Sequence, residues 1–397
     1  MIPGIRKQYN EHFTSEKYAA FLDSIAEKYR HRPPFRIAET PFFVPKILKE
    51  RLREACAEIN MTICHPSFKK WSQNAIKDVG AQVPGEDYHT RFLQMDFGVC
   101  LDEHGDPFPQ LIEIQGFPSL YFFQDLLAEK YRQFFDIPDR LTSHLSGMDT
   151  PAYMRLLRET IVGDHDPRNV VLLEVEPEKQ NTYIDFLGAE DHLGIKILCI
   201  SKLKKRGKDL FYLDEKGKEI PVHKIYNRVI FDELNQRDDL QREFYFKDEV
   251  NVEWVGHPNW FFRISKYILP ILRSRYVPKS YYLDRLDQYP DDLENYVLKP
   301  LYSFAGSGVN LNVTAALLDK VKDKENFILQ QKVKYEPVIQ SPNEPVKCEI
   351  RMLMLWEKGA STASIVNNLV RLTKGEMVGV KYNKDKDWVG ASIGFFE

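Results

Sequence analysis

Residues Tyr296–Leu311 read YVLKPLYSFAGSGVNL. An apolar run ends on Lys299 and Pro300, a small-residue turn follows, and a second apolar run resumes. Proline has no amide hydrogen, so ladder pairing stops beyond Pro300. Ala305, Gly306, Ser307 and Gly308 suit a loop whose successive backbone N–H groups cradle an anion, with Ser303 leading into it. Lys299 then adds a point charge to the same anion. A tight hairpin with a solvated lysine accounts for the same residues. Neither GxxxxGK[ST] nor GxGxxG occurs, so this is not a Walker loop or a dinucleotide fingerprint.

The rest of the chain supplies context. It has 397 residues, 43% hydrophobic and 28% charged, with a formal net charge of -3. That size suits two or three packed domains. The charge balance argues against a general nucleic-acid or membrane surface. No apolar run reaches the roughly 18 residues a membrane span needs. The opening MIPGIRKQYNEHF has no apolar core of a secretory signal. Cys56, Cys64, Cys100, Cys199 and Cys348 are odd in number and lack CxxC spacing, which fits a reducing cytoplasm better than a zinc site or disulfide framework.

Periodicity predicts helices over 14–30 and 44–60. RFLQMDFGVCLDEHGDPFPQLIEIQG (91–116) alternates on both sides of a Gly-Asp-Pro turn and predicts a β-hairpin. A helix over 119–135 follows. NVVLLEVEP, a helical stretch and then GIKILCIS form a strand–helix–strand run, the pattern of a parallel α/β unit. Residues 202–222 read as a charged hairpin and KIYNRVIFDEL as a strand. FFRISKYILPILRSRY is expected to be helical up to its proline. From 296 onward NYVLKPL, GVNLNV, NFILQQKV, KCEIRMLMLWEKG, STASIVNNLVRLT and ASIGFF read as strands. The fold class is α/β (α+β).

Several positions carry candidate chemistry. Residues two apart on a strand share a face, so Glu113 and Gln115 point the same way, with Asp96 across from them on the partner strand. Two carboxylates and an amide oxygen make a hard-oxygen site for Mg²⁺; a solvated strand edge with ordinary acids is the alternative. NFILQQKV ends on polar residues whose backbone groups suit an adenine edge, or it is a core strand with a polar exit. Glu349 and Arg351 share a face of an otherwise apolar strand, where burial requires a partner or a ligand. Asn368, Arg371 and Lys374 lie near the end of the next strand.

In this order the pieces resemble the ATP-grasp ligases, in the permuted form of eukaryotic-type glutathione synthetase and glutathionylspermidine synthetase. Those families carry an acid and an E-x-N pair on an early hairpin, then a lysine in a helix downstream. V-L-K-P, a small-residue loop, an apolar adenine hinge, an acid-bearing strand and a late R-x-K follow. The match runs over about residues 91–397, and the helical N-terminus matches only weakly. The resemblance implies that Asp96, Glu113 and Gln115, the last replacing the usual Asn, bind metal. It implies nucleotide lysines at Lys266 and Lys299, an adenine hinge at Gln331, Lys332 and Val333, and a ribose acid at Glu349. It implies a basic pair, Arg371 and Lys374, near the acyl phosphate and its donor, and a substrate carboxylate gripped by Arg228, for which a bidentate fork is suited.

Two departures set the chain apart from glutathione synthetase itself. Ser303 and Phe304 stand where the phosphate loop has an acid, and Gln94 stands where an arginine precedes the early acid, although Arg91 is close by. The implied organisation is a mostly helical region over 1–90, and the metal-binding hairpin and helix of an ATP-grasp core over 91–165. A parallel α/β substrate-binding domain over 166–245 and the nucleotide-binding lobes over 246–397 complete it. The implied activity is carboxylate–amine ligation with ATP and Mg²⁺ on small-molecule carboxylate and amine substrates, with homodimers frequent among such proteins. A nucleotide-binding protein without ligase activity and a small-molecule kinase are the competing readings.

Overall fold

In FLQMDFGVCL (92–101) residues 92–100 are buried on both faces of one strand, although Gln94 and Asp96 lie on the face opposite Met95 and Phe97. This strand, β2 (Phe92–Leu101), sits inside a five-stranded sheet. Its neighbours are β3 (Pro107–Gln115) and β14 (Lys347–Leu355), and beyond β14 come β15 (Ser364–Thr373) and β16 (Gly390–Ser392), all antiparallel. Met95, Phe97, Ile114, Ile350, Met352 and Val370 form the apolar face. They share one core with Leu48, Leu52 and Ile59 of the helix Lys46–Ile63. The structure is a computed structural model that describes all residues except 78–81, 232, 233, 235, 304–306, 376–382 and 384.

The expected hairpin over 91–116 forms as β2 and β3, and the turn is fixed by Asp102, whose carboxylate accepts from the amides of His104 and Asp106. Thr14 caps the helix Ser15–Tyr29 by accepting from the Lys17 amide, and Phe21 and Ile25, one turn apart, bury its inner face. The strand β1 (Phe42–Val44) runs parallel to β17 (Gly394–Phe396), and a bridge from Ile37 to Ala391 extends the contact.

A second sheet has the order β10-β9-β4-β5, from Val170–Glu174 (β4), Lys196–Cys199 (β5), Lys224–Asn227 (β9) and Glu253–Val255 (β10). Every pairing in it is parallel, as the strand–helix–strand pattern predicts. The helix Tyr183–Leu193 joins β4 to β5 and ends at Gly194 (φ +71°). The charged excursion is a three-stranded antiparallel sheet of β6 (Lys204–Arg206), β7 (Asp209–Leu213) and β8 (Glu219–Val222).

A fourth, small sheet has the order β11-β13-β12, from Ser280–Tyr282 (β11), Tyr296–Pro300 (β12) and Phe327–Gln331 (β13). Leu298 and Leu329 face its own small core, while Ile328 and Lys299 face the other way. Two expectations need correction here. GVNLNV forms no strand: a single bridge joins Leu298 to Asn310, and the Asn310 side chain then accepts from the Asn312 amide and turns the chain away. The segment 261–276 is not one helix up to its proline. Asn259–Arg263 is helical, Ser265 is extended, and Lys266–Ile271 is a 3₁₀ segment containing Pro270. No helix among the described residues is long and apolar enough to cross a membrane.

Candidate functional site

The polar face of the five-stranded sheet carries the site. Across the strands, Glu113 pairs with Asp96, Asp96 with Arg351, and Glu349 with Arg371. The Asp96–Arg351 and Glu349–Arg371 pairs attract, whereas Glu113 and Asp96 are like charges that need the neighbouring cations. A bulge interrupts the β2–β3 register, since Asp96 opposes Glu113 but Phe97 opposes Leu111, leaving Ile112 as the extra residue. A bulged residue loses its ladder partner. The Ile112 carbonyl accepts instead from Lys299 Nζ at 3.0 Å, a contact that ties the small sheet to the large one.

Asp96 is fully buried. Its Oδ1 accepts from Gln94 Nε2 (3.1 Å) and Arg351 Nε (2.8 Å), and its Oδ2 from Arg351 Nη2 and Arg371 Nη2, both at 2.8 Å. All four of its acceptor positions are filled, so the metal role implied for Asp96 is dropped: it organises two guanidinium groups. Glu349 pairs with Arg371 through Oε1 and accepts from the Tyr335 hydroxyl through Oε2 at 3.0 Å. Burial and the neighbouring acids raise the Tyr335 phenol well above its ordinary pKa, and Arg371 opposes them.

Glu113 and Gln115 do share a face, and Gln115 Nε2 donates to Glu113 Oε1 at 3.2 Å. The Gln115 amide oxygen takes no part in that bond. Lys266 Nζ lies 3.6 Å from Glu113 and donates to the Ser303 carbonyl at 2.7 Å. Burial opposes ionisation of Glu113, yet Lys266, Arg371, Arg351 and Lys299 together outweigh it and hold the carboxyl far below its usual range. Lys299 is 8% exposed, and among the described residues no carboxylate lies within ion-pair distance of it. Burial pushes its ammonium down to about 8, against the pull of Glu113.

Other expected residues lie elsewhere. Arg371 lies on β15, which ends at Thr373, and Lys374 lies in the bend just beyond it. Lys374 Nζ binds Asn343 and Asp387, so it does not join Arg371 in a basic pair. Gln331 and Lys332 spend their amides on the carbonyls of Lys279 and Asn295, and Lys332 Nζ donates to the Glu294 carbonyl. Val333 and Tyr335 fold over Gly98, where an added Cβ would meet them at 2.7 Å and 3.1 Å. Ser307 and Gly308 are exposed, and Gly308 (φ +70°) lies against Pro300. Ala305 and Gly306 lie outside the described residues.

Arg228 follows β9 at the carboxyl edge of the parallel sheet, beside the point where the strand order reverses between β4 and β9. Ligands gather at such edges. Its guanidinium stacks on Phe117 (4.5 Å to the ring centroid) and donates to the Pro118 carbonyl at 2.6 Å. Phe117 also lines a narrow cleft together with Gln115, Phe261, Lys266, Leu301 and Ser303. One aromatic ring thus separates Arg228 from the cleft that holds Lys266. Among the described residues no group of three or more His, Cys, Asp or Glu side chains forms a ready metal site.

Arg351, Tyr335 and Gly98 were not assigned site roles from sequence. Arg351 carried a usable signal, a charge two residues from Glu349 in an apolar strand. Tyr335 and Gly98 carried none, because their contact spans more than two hundred residues.

This arrangement, with antiparallel lobes meeting over a buried mixed-charge face and a parallel α/β unit beside it, is a glutathione synthetase-like fold. A glutathione synthetase-like effector from Globodera pallida, solved in its apo form, shares it at 13% sequence identity and a TM-score of 0.57, with 96% of each chain covered. No protein-family model matches the chain, and no curated protein sequence does.

Proposed function

We propose that the chain is an ATP-dependent carboxylate–amine ligase acting with Mg²⁺ on a small amino-acid or peptide-like substrate. The observation that carries this reading is Lys299. A buried ammonium without a carboxylate is costly unless an anion completes it. Lys299 stands in a cluster where four cations, Lys266, Lys299, Arg351 and Arg371, face three carboxylates, Asp96, Glu113 and Glu349. A polyphosphate supplies the missing negative charge.

In this reading Lys266 and Lys299 hold the phosphates, and the Ser303 carbonyl fixes the Lys266 ammonium. Glu113 and the Gln115 amide oxygen fit Mg²⁺, which prefers a few oxygen ligands and completes its shell with water and phosphate. The metal would neutralise charge on the phosphates. Glu349 binds the ribose, Gln331 to Val333 border the base, and Arg228 orients a substrate carboxylate. A carboxylate oxygen attacks the γ-phosphorus and ADP leaves. An amine then attacks the acyl carbon, phosphate departs and the amine loses a proton. Arg371, half-buried at the edge of the cluster, faces the charge that develops on the acyl phosphate. A cytoplasmic setting belongs to the same proposal, as all five cysteines are free thiols.

A nucleotide-binding protein without ligase activity is favoured by one observation: with Asp96 saturated and Ser303 replacing an acid, Glu113 is the one carboxylate left to a metal among the site acids considered. Incubation with Mg-ATP and mixtures of amino acids, peptides and polyamines separates the readings. The ligase releases ADP and phosphate only when both a carboxylate and an amine are present, and yields a condensed product by mass. A Mg-ATP thermal shift without turnover supports the binding protein, a phosphorylated end product supports a kinase, and no response to Mg-ATP removes all three.

A further inference from the structure

The end of the helix Lys46–Ile63, the short turn Phe68–Trp71 and the bend ahead of β2 enclose a second narrow cleft, beside the end of β14. Its floor is made of rings withdrawn from water, Phe68, His89, Trp260 and Trp356, and His89 stacks on Trp356 with the centroids 4.0 Å apart. Its rim is exposed. Tyr88 (71%) and Met61 (69%) are the most exposed large hydrophobic side chains among the described residues. Tyr88 lines the cleft, and Met61 stands one helical turn before Cys64, which lines it too. Trp71 is 44% exposed and stacks on the rim residue His65 at 4.5 Å. Tryptophan, tyrosine and methionine gathered on one exposed patch are the composition of a protein–protein contact.

The walls are fixed before anything binds. The buried Arg263 guanidinium donates twice to Glu86 (2.6 and 3.0 Å), and also to the Lys69 carbonyl (2.8 Å) and the Ser72 hydroxyl (3.2 Å). Trp260 Nε1 donates to Asp87 at 2.5 Å. Three separate segments are thus held together, and little ordering entropy is lost on docking. The charges around the cleft are not balanced. Lys69 is met by Glu86, and Arg91 attracts the Asp87 carboxylate. Lys70 and Lys358 are exposed, and neither has an ion-pair partner among the described residues. The neighbouring Glu357 offsets one of the two, which leaves the rim net positive on a chain of formal net charge -3.

We propose that this cleft is a docking site for an acidic segment of another protein, which inserts one aromatic side chain between the exposed rim and the ring floor. A narrow cleft lined by rings admits a flat group more readily than a branched one, and ring–ring contacts add to the area buried. Acidic residues on either side of the anchor meet Lys70 and Lys358, which steers the encounter. A second copy of this chain in a two-fold contact would set those lysines against themselves. A membrane surface meets protruding rings rather than a cleft. The site is separate from the nucleotide reading: Trp260 lines this cleft, and the next residue, Phe261, lines the one that holds Lys266.

Selection of a random peptide library against the full chain tests this, followed by fluorescence anisotropy of the enriched peptides with wild type, Tyr88→Ser, Trp71→Ser and Lys358→Glu. All three positions are exposed, so the variants should melt with the wild type. The expected peptides carry one aromatic residue flanked by Asp and Glu. Y88S and W71S should bind them roughly ten- to thirtyfold more weakly, the worth of an aromatic anchor. Alanine at the peptide's aromatic position should do the same, and K358E should weaken binding chiefly at low salt. No enrichment, peptides without that pattern, or peptides bound equally by wild type and all three variants overturns the proposal. A wild-type dimer that W71S dissociates on gel filtration also overturns it, by assigning the patch to a second copy. Sedimentation with phosphatidylserine vesicles that Y88S abolishes overturns it in favour of a membrane.

Discussion

The charged hairpin sheet β6–β8 and the polar face of the five-stranded sheet are both built from opposite charges in close pairs, yet they work differently. On the hairpin, Arg206 meets Glu219 and Lys208 meets Glu249 in open water. Such pairs exchange one set of solvent contacts for another and contribute little. On the sheet face, Asp96, Glu349, Lys266 and Lys299 are buried and Glu113 and Arg351 are largely so, and with Arg371 at the edge the cations number four against three acids. Burial of charge is rarely the cheapest way to hold a fold together. The excess positive charge therefore speaks for ligand binding, whereas the hairpin's pairs speak only for solubility.

The largest contrast should come from Asp96→Ala. It strands Arg351 and Arg371 in a buried site without their shared anion, and the expected loss is about 3–5 kcal/mol of stability in urea unfolding. A loss below about 1 kcal/mol would mean that the guanidinium groups find water, and that the cluster resembles the hairpin after all.

Glu113→Gln sharpens the same point through pH. The folded-state pKa of Glu113 is depressed, so its stabilisation is present above an ordinary carboxylate pKa of 4.5 and is lost as pH falls through the folded value. The stability difference between wild type and E113Q should be full at neutral pH and shrink steadily below about 4.5. A difference that stays constant across that range would show that Lys266 and the arginines do not act on Glu113 through its charge. The smallest effect is expected of Arg206→Ala, whose unfolding midpoint should match the wild type within error; a clear drop would remove the contrast between the two regions.

Much of this was legible in the chain. The hairpin around DEHGDP, the parallel unit after NVVLLEVEP and the i, i+2 placement of Glu113 and Gln115 follow from alternation and turn chemistry alone. The pairing of β14 with β2 was not legible, because two apolar strands some 250 residues apart advertise no partner. Asp96 read as a metal ligand for that reason: its arginines arrive on strands whose order the sequence does not state. The partners of Lys374 were not legible either, because the strand ends at Thr373 and the bend beyond it delivers Lys374 to Asn343 and Asp387. The break at Ser265 was hidden because Phe261, Ile264 and Ile268 keep helical spacing through a stretch that Ser265 and Pro270 prevent from being one helix.

The comparison of Lys299→Met with the wild type at pH 7, melted with and without Mg-ATP, bears on all of this at once. Methionine fills similar volume without a charge. Lys299 titrates near 8 when folded and at 10.5 in its ordinary state, so the folded chain releases this proton first, and wild-type stability should rise with pH between those values. At pH 7 the variant should gain up to about 3 kcal/mol, the free energy separating those two pKa values, and should lose the upward shift that Mg-ATP gives the wild type. A variant that melts lower than the wild type and still responds fully to Mg-ATP would show that Lys299 is a structural lysine and that no triphosphate sits on this face.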